Sequence, residues 1–542
     1  MRARAGRAAA NRHAGMGWRA YTLLALLGLA MALAVAHFQS FPGYMDADYY
    51  FGGGLQLLRG RGFTEPYLWN YLSDPAGLPS PSHLYWMPLA SVIAAAGMRL
   101  TGQADYASAR LGFVALAAAS PVATAALAFS FSRRSGPAVL SGLLAVFSVY
   151  YVPFLPVPDN YGVYQVLGAI FLLAVGRRVN AAYVALGLAA GLMTLARSDG
   201  ILWLFLAIAA SARGTPGPRL PSGGHVPDSR SLAPATLGRR LAGVAIALAA
   251  FSIVVAPWYM RNAALQGTIL GPGLGRLLWM RSYDEIFAYP ASQLTLERWL
   301  AQDISTILSG RLASLRWNLL NAFAAQGGVF LLPLIVAGAW RHRKDPRVQT
   351  GFAGWSALLV VMTFVFPFVG ARGGFFHAGA GFQPLWWALA PLGLERLASS
   401  SSRFASVQLW IQRSSGAAMV WICMLMTGVI FYLRVLGGWG EGEGSYPGVE
   451  AFLERSGAKP GQVVMVRNPP GYYVMTNRPA IVVPYADAAG ILAAARKYDA
   501  EFLVIEPAGA AGPIRAVYDD LDSQSLEFLG ELDGTRIFRV EP

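Results

Sequence analysis

The sequence predicts a polytopic α-helical membrane protein of about eleven transmembrane helices, followed by a small external α/β domain. Three observations carry that expectation. Of 542 residues, 55% are hydrophobic and 13% charged, a balance that excludes an ordinary soluble globule. Apolar runs of spanning or near-spanning length recur at 17–38, 107–131, 137–156, 161–175, 181–196, 200–211, 241–260, 325–340, 351–369, 380–394 and 416–436. Beyond 437 the pattern changes to short β-rich runs punctuated by turn residues, which divides the chain into domains 1–436 and 437–542.

The first run follows a basic segment and reaches no small-residue cleavage site, so it reads as a retained span rather than a signal peptide. The net charge of +14 is spread in short clusters between apolar runs, as in cytoplasmic loops facing anionic headgroups; it gives no reason to expect nucleic acid. The lone Cys423 excludes an internal disulfide and a cysteine-based metal site.

Topology turns on residues 84–100. This stretch contains Pro88, Ser91 and Arg99 and opens on Tyr85 and Trp86, which suits a helix lying along the outer surface. Placed there, it puts Arg133, Arg134, Arg177, Arg178 and the basic 341–344 run on the cytoplasmic side, as the positive-inside rule requires. The expected protein is then a multi-pass protein of the cell (inner) membrane, with its N-terminus in the cytoplasm and its C-terminal domain outside. One external face gathers the loop 39–106, the PVPDNYG turn, the end of LARSDG, the loop 262–324, ARGGFFHAG and everything past 437. The Pro/Gly/Ser-rich 212–240 segment reads as a cytoplasmic linker with a solvated His225. In the C-terminal domain VVMVR, AIVVP and EFLVIE read as buried strands, DAAGILAAARKY as a helix, LEFLGEL and TRIFRV as a hairpin, and RNPPGYY as a turn.

The chemistry starts in FPGYMDADYY, residues 41–50, where Asp46 and Asp48 stand as the chain leaves the bilayer. Carboxylates at that depth are functional by default, although acids also favour a helix N-terminus. Asp159, Asp199, Arg110, Arg197, Arg261, Arg372 and His377 fall at outer span ends too. Each arginine alone is an ordinary snorkelling anchor. Together with carboxylates they suit a phosphate-bearing substrate and a nucleophile that needs a base. No His/Asp cluster stands at ligand spacing along the chain, so no metal ligands are assigned and no cofactor is expected, a divalent cation remaining an option. GPGLG at 271–275 lacks the Lys-Ser/Thr of a phosphate loop and reads as a turn.

DADYY followed by LLRGRGF, then YWMP, ADYASARLG, GLMTLARSDGILW and VVAPWYMRNAALQG, resembles the GT-C lipid-phosphate-sugar transferases. These include the protein O-mannosyltransferases and the aminoarabinose transferase (glycosyltransferase family 39-like), and the likeness runs over about residues 17–395. The resemblance implies a membrane glycosyltransferase that moves a hexose or pentose from a polyprenyl-phosphate donor to a glycan, lipid or protein acceptor on the external face, with inversion. Under it Asp46 and Asp48 share the catalytic position, Asp159 is the second acid, and Arg197 and Arg261 hold the lipid phosphate. Tyr50, Arg110, Arg372 and His377 are the further substrate contacts. Ala47 stands where the family often has Glu, and Pro79-Ser80 where the aminoarabinose enzymes have Glu-Lys. The alternatives are an oligosaccharyltransferase-like enzyme that uses a diphosphate-linked glycan and a divalent metal, or a non-enzymatic lipid or glycan transporter.

Overall fold

In the computed structural model, residues 16–213, 236–269, 272–399, 405–520 and 525–540 are described. The basic N-terminal tail and most of the 212–240 linker with His225 lie outside them. Each of the eleven apolar runs coincides with helix among the described residues. Five helical stretches are long and apolar enough to cross a bilayer: Trp18–His37, Tyr106–Ser132, Leu237–Gln266, Pro346–Val365 and Ser414–Arg455. A sixth is the pair Ile304–Gln326 and Val329–Arg341, bent by 86° at Gly327 and Gly328. Other apolar helices are shorter, such as Tyr161–Ala174 and Asn180–Ala196. The chain is thus a multi-pass membrane protein with, among the described residues, five or six candidate spans by length and composition, fewer than the eleven expected.

The short helices stay in place by packing rather than by length. Tyr161–Ala174 touches the turn Ala380–Phe382 so closely that a Cβ on Gly168 would lie 1.9 Å from the Gly381 carbonyl oxygen. The contact sets the distance between the segment carrying Asp159 and the one carrying His377. Gly168→Ala is therefore expected to cost about 1–3 kcal/mol by overpacking. Thermal unfolding of the solubilised protein, followed by intrinsic fluorescence, measures it.

Leu89–Thr101 is a 13-residue helix, about 20 Å at 1.5 Å per residue and short of the ~30 Å hydrocarbon core. Its Ser91 is buried and donates to the Tyr50 carbonyl at 2.9 Å, and its Oγ meets His83 Nε2 at 2.8 Å. Ser82 Oγ closes on His83 Nδ1 at 2.7 Å. Burial lowers the His83 imidazole to about 3, with Arg261 adding to the effect, so this chain of bonds is held by a neutral ring. It fixes the helix Met45–Leu58, which carries both aspartates.

The C-terminal strands form a parallel set, Ala480–Val482, Val463–Val466 and Ala500–Ile505, closed by the antiparallel hairpin Thr535–Val540 and Leu526–Leu532. A strand from the first loop, Tyr67–Leu68, pairs in parallel with Ala480–Val482 and completes a six-stranded sheet. The first loop thus contributes an edge strand to the sheet built from residues past 437. RNPPGYY, expected as a turn, instead opens the helix Pro469–Thr476, capped by Asn468. That helix lies against Met45–Leu58, where Tyr473 Oη accepts from Gln56 and Arg59, both at 2.9 Å.

Candidate active site

Asp46 lies in the first turn of Met45–Leu58, Asp159 precedes the helix Tyr161–Ala174, and His377 sits in the five-residue helix Phe375–Gly379. Far apart in sequence, they meet in space: their ligand atoms all lie within 4.8 Å of one another. His377 Nε2 is 3.2 Å from Asp159 Oδ2 and 3.7 Å from Asp46 Oδ2. The fold thus assembles the His/Asp cluster that spacing along the chain does not offer.

Each member is held from behind. Gly373, at φ 126 in the conformation that favours glycine, turns its carbonyl to His377 Nδ1 at 3.1 Å. A carbonyl only accepts, so Nδ1 carries the proton and Nε2 is aimed at the two carboxylates. Two carboxylate oxygens facing one imidazole nitrogen call for a cation between them or a proton on that nitrogen. Tyr161 stacks on the ring with centroids 4.2 Å apart, its hydroxyl 3.2 Å from Nδ1. Asp159 accepts from Tyr44 Oη at 2.6 Å on Oδ2 and from the Asn160 amide at 2.6 Å on Oδ1.

The two acids differ in exposure and in charge. The Asp159 side chain is 1% exposed and that of Asp46 26%. Burial raises the Asp159 carboxyl, but His377 and the bonds from Tyr44 and Asn160 outweigh it and hold the group below the usual carboxylate range. Asp46 is pushed up to about 6 by burial, an effect relieved by His377 and reinforced by Asp159. The cluster therefore has one deep ionised acid and one accessible acid of raised basicity.

Asp48 does not join them. Two residues along a helix turn a side chain to the opposite side, and Asp48 is fully buried against Glu443 and Asn468. Its Oδ2 accepts from Asn468 Nδ2 at 2.9 Å, and Glu443, which accepts the Gly43 amide at 2.9 Å, lies beside it. Burial, with Glu443 next, raises the Asp48 carboxyl well above the usual range. Tyr50, expected as a substrate contact, is buried; its hydroxyl accepts from Asn160 Nδ2 at 2.9 Å and steadies the Asp159 loop. Arg110 is a strut, donating to the Gln39 carbonyl at 3.0 Å and resting on Tyr106.

Arg197 faces the cluster and acts on Asp46, yet Asp199 takes its Nε and Nη2 at 3.0 and 2.9 Å. Arg372 lies over the Tyr283 ring at 5.0 Å. Arg261 has different surroundings from Arg197: it donates to the Phe63 carbonyl at 3.0 Å and stacks on Trp258 at 4.4 Å. Its groove, about 550 Å³, is walled by apolar residues such as Pro88, Val92, Leu195, Val254 and Leu265. Sequence reasoning passed over Tyr44 and Tyr161, whose neighbours Asp46 and Asp159 were the available signal.

No protein-family model and no curated protein matches the sequence. Solved structures do. The oligosaccharyltransferase of Archaeoglobus fulgidus in complex with zinc and sulfate aligns at 12% identity and TM-score 0.58, covering 92% of this chain and 69% of that one. The same organism's oligosaccharyltransferase AglB with an inhibitory peptide and a dolichol-phosphate aligns at 12% and 0.52, covering 90% and 69%. ArnT from Cupriavidus metallidurans bound to undecaprenyl phosphate aligns at 12% identity and TM-score 0.53, covering 97% of this chain and 98% of that one. The chain therefore has the GT-C fold that these transferases share.

Proposed function

We propose that this protein is a membrane glycosyltransferase that takes a sugar from a polyprenyl-phosphate donor, with Asp46 as the base. The observation that carries the reading is the accessible Asp46 carboxylate backed by the buried Asp159–His377 pair. Asp46 accepts the proton of an acceptor hydroxyl or amine. The acceptor oxygen or nitrogen then bonds to the anomeric carbon as the bond from that carbon to the phosphate oxygen breaks, with inversion. The electron pair leaves with the lipid phosphate. The groove beside Arg261 suits the donor: an apolar trough for isoprene units with one guanidinium for the phosphate. The bound relatives of the same fold, dolichol-phosphate on AglB and undecaprenyl phosphate on ArnT, support that class of donor.

The residues fit a divalent cation. Two carboxylates and an imidazole nitrogen within 4.8 Å suit metal–ligand bonds of roughly 2.0–2.2 Å, and the Gly373 carbonyl fixes the His377 tautomer as second-shell partners of metal-bound histidines do. Asp46, Asp159 and His377 would hold the ion, which supplies Lewis-acid stabilisation of phosphate oxygens when bound. Asp46 has two carboxylate oxygens, so it could serve both as a ligand and as the base. The same cluster favours a second reading, a metal-assisted transfer from a diphosphate-linked glycan.

Arg261→Lys tests the donor groove. It keeps the charge but loses the planar fork, so donor KM is expected to rise by about tenfold with kcat little changed. A donor-saturation assay reads it; an unchanged KM would make Arg261 a membrane anchor. The orientation proposed, with the C-terminal domain and this cleft on the external face of the cell membrane, is checked by a reporter fused after Pro542.

A further inference from the structure

The 262–324 loop carries a cluster that the transfer chemistry above does not use. Glu285 ties two of its arginines together: Oε2 accepts the Arg281 amide at 2.7 Å and Oε1 accepts Arg298 Nη2 at 2.6 Å. Arg281 Nη2 donates to the Arg298 carbonyl. Trp299 follows Arg298, and the Arg311 guanidinium lies over its ring at 5.5 Å. Among the described hydrogen bonds Glu285 is the only carboxylate these three arginines meet. The patch is also rich in unused donors. Arg281 Nε, Arg298 Nη1 and Trp299 Nε1 are buried N–H groups without an acceptor among the described residues.

Buried donors are nearly always paired, and leaving three unpaired in one patch is costly. Donors without an acceptor, set among three arginines that share one carboxylate, suit an anion that brings acceptor oxygens. We propose that Arg281, Arg298, Trp299 and Arg311 form a binding site for a phosphate-class anion. Guanidinium forks bind phosphate oxygens with fixed geometry, and an indole N–H adds a neutral donor. The Arg298 side chain is 30% exposed, so the site is open to ligand. Arg311 stands on Ile304–Asn321, a helix exposing Ile304, Leu308 and Leu312. Both a bilayer headgroup and a phosphate carried by an acceptor can reach such a position. The site stands whether or not Asp46 is the base.

The test uses the full chain in nanodiscs with two probes. In pure phosphatidylcholine discs, inorganic phosphate binding is followed by phosphorus NMR; in discs with phosphatidylglycerol, retained anionic lipid is counted by native mass spectrometry. Trp299→Phe keeps an aromatic ring under Arg311 without the indole N–H, and Arg281→Lys keeps the charge without the guanidinium fork, so both should fold. Each is expected to weaken the bound anion by about tenfold, while Arg316→Gln on the same helix, outside the cluster, leaves it unchanged. Loss with the soluble probe assigns the site to a phosphate presented from water, and loss with the lipid probe alone assigns it to a headgroup. Equal binding of both probes by wild type, Trp299→Phe and Arg281→Lys, binding of neither probe by wild type, or an equal loss in Arg316→Gln, overturns the proposal.

Discussion

Asp46→Asn is expected to lower sugar transfer by about a hundred- to ten-thousand-fold, the usual contribution of a positioned general base. Asparagine is nearly isosteric and the side chain is partly exposed, so expression and unfolding temperature should hold. Asp48→Asn is the matched control. The two aspartates share one helical turn, but Asp48 is buried against Asn468 and Glu443. An amide there still offers an oxygen to Asn468 and can donate to Glu443, so turnover should stay within a few-fold of wild type. Initial rates at saturating donor separate the pair. Comparable losses in both variants would mean that the cleft does not distinguish them.

The second large effect concerns the cation. Wild-type protein purified without chelator is expected to carry one divalent ion, and His377→Ala or Asp159→Asn to weaken it by about a hundredfold, as removing a ligand or its support does. Elemental analysis of the purified protein reads this without any assay of transfer. Asp46→Asn should keep part of the site, since Asp159 and His377 are themselves in contact at 3.2 Å. Equal metal content in wild type, His377→Ala and Asp159→Asn would leave the cluster as a hydrogen-bonded ion pair, with Nε2 protonated between two acids.

Much of this molecule is legible in its sequence because a bilayer makes apolar length informative. Each of the eleven runs coincides with helix, though the ends differ by as much as eleven residues, as for 416–436 against Ala405–Phe431. Their number as spans is another matter, since Tyr161–Ala174 and its like depend on neighbours such as Gly381 that no local pattern reveals. Asp46 stood out because an acid follows an apolar run with aromatic residues behind it. Its partners did not stand out as a set: residues 46, 159 and 377 meet only through tertiary packing. Asp48 stands in the same sequence context but lies apart from that group. Nothing near it in sequence shows that Asn468, 420 positions away, covers it. The strand Tyr67–Leu68 is two residues long, too short for any periodicity, and its pairing with Ala480–Val482 is what joins the first loop to the C-terminal sheet. Arg110 and Arg261 look alike in sequence, as arginines at span ends; only their partners, a Gln39 carbonyl in one case and an apolar groove in the other, separate strut from candidate ligand.

The central claim is that a polyprenyl-phosphate sugar is consumed in this cleft with Asp46 as base. The direct measurement is phosphorus NMR of the full-length protein in bilayers supplied with a synthetic polyprenyl-phosphate sugar, beside a parallel sample with a polyprenyl-diphosphate glycan, each with membrane-extract acceptor. Wild type is expected to release polyprenyl monophosphate from the first donor and to leave the second intact, and Asp46→Asn to release none. Release of polyprenyl diphosphate instead would move the protein to the second reading. An intact monophosphate donor with wild type, or its consumption at the wild-type rate by Asp46→Asn, would contradict the account.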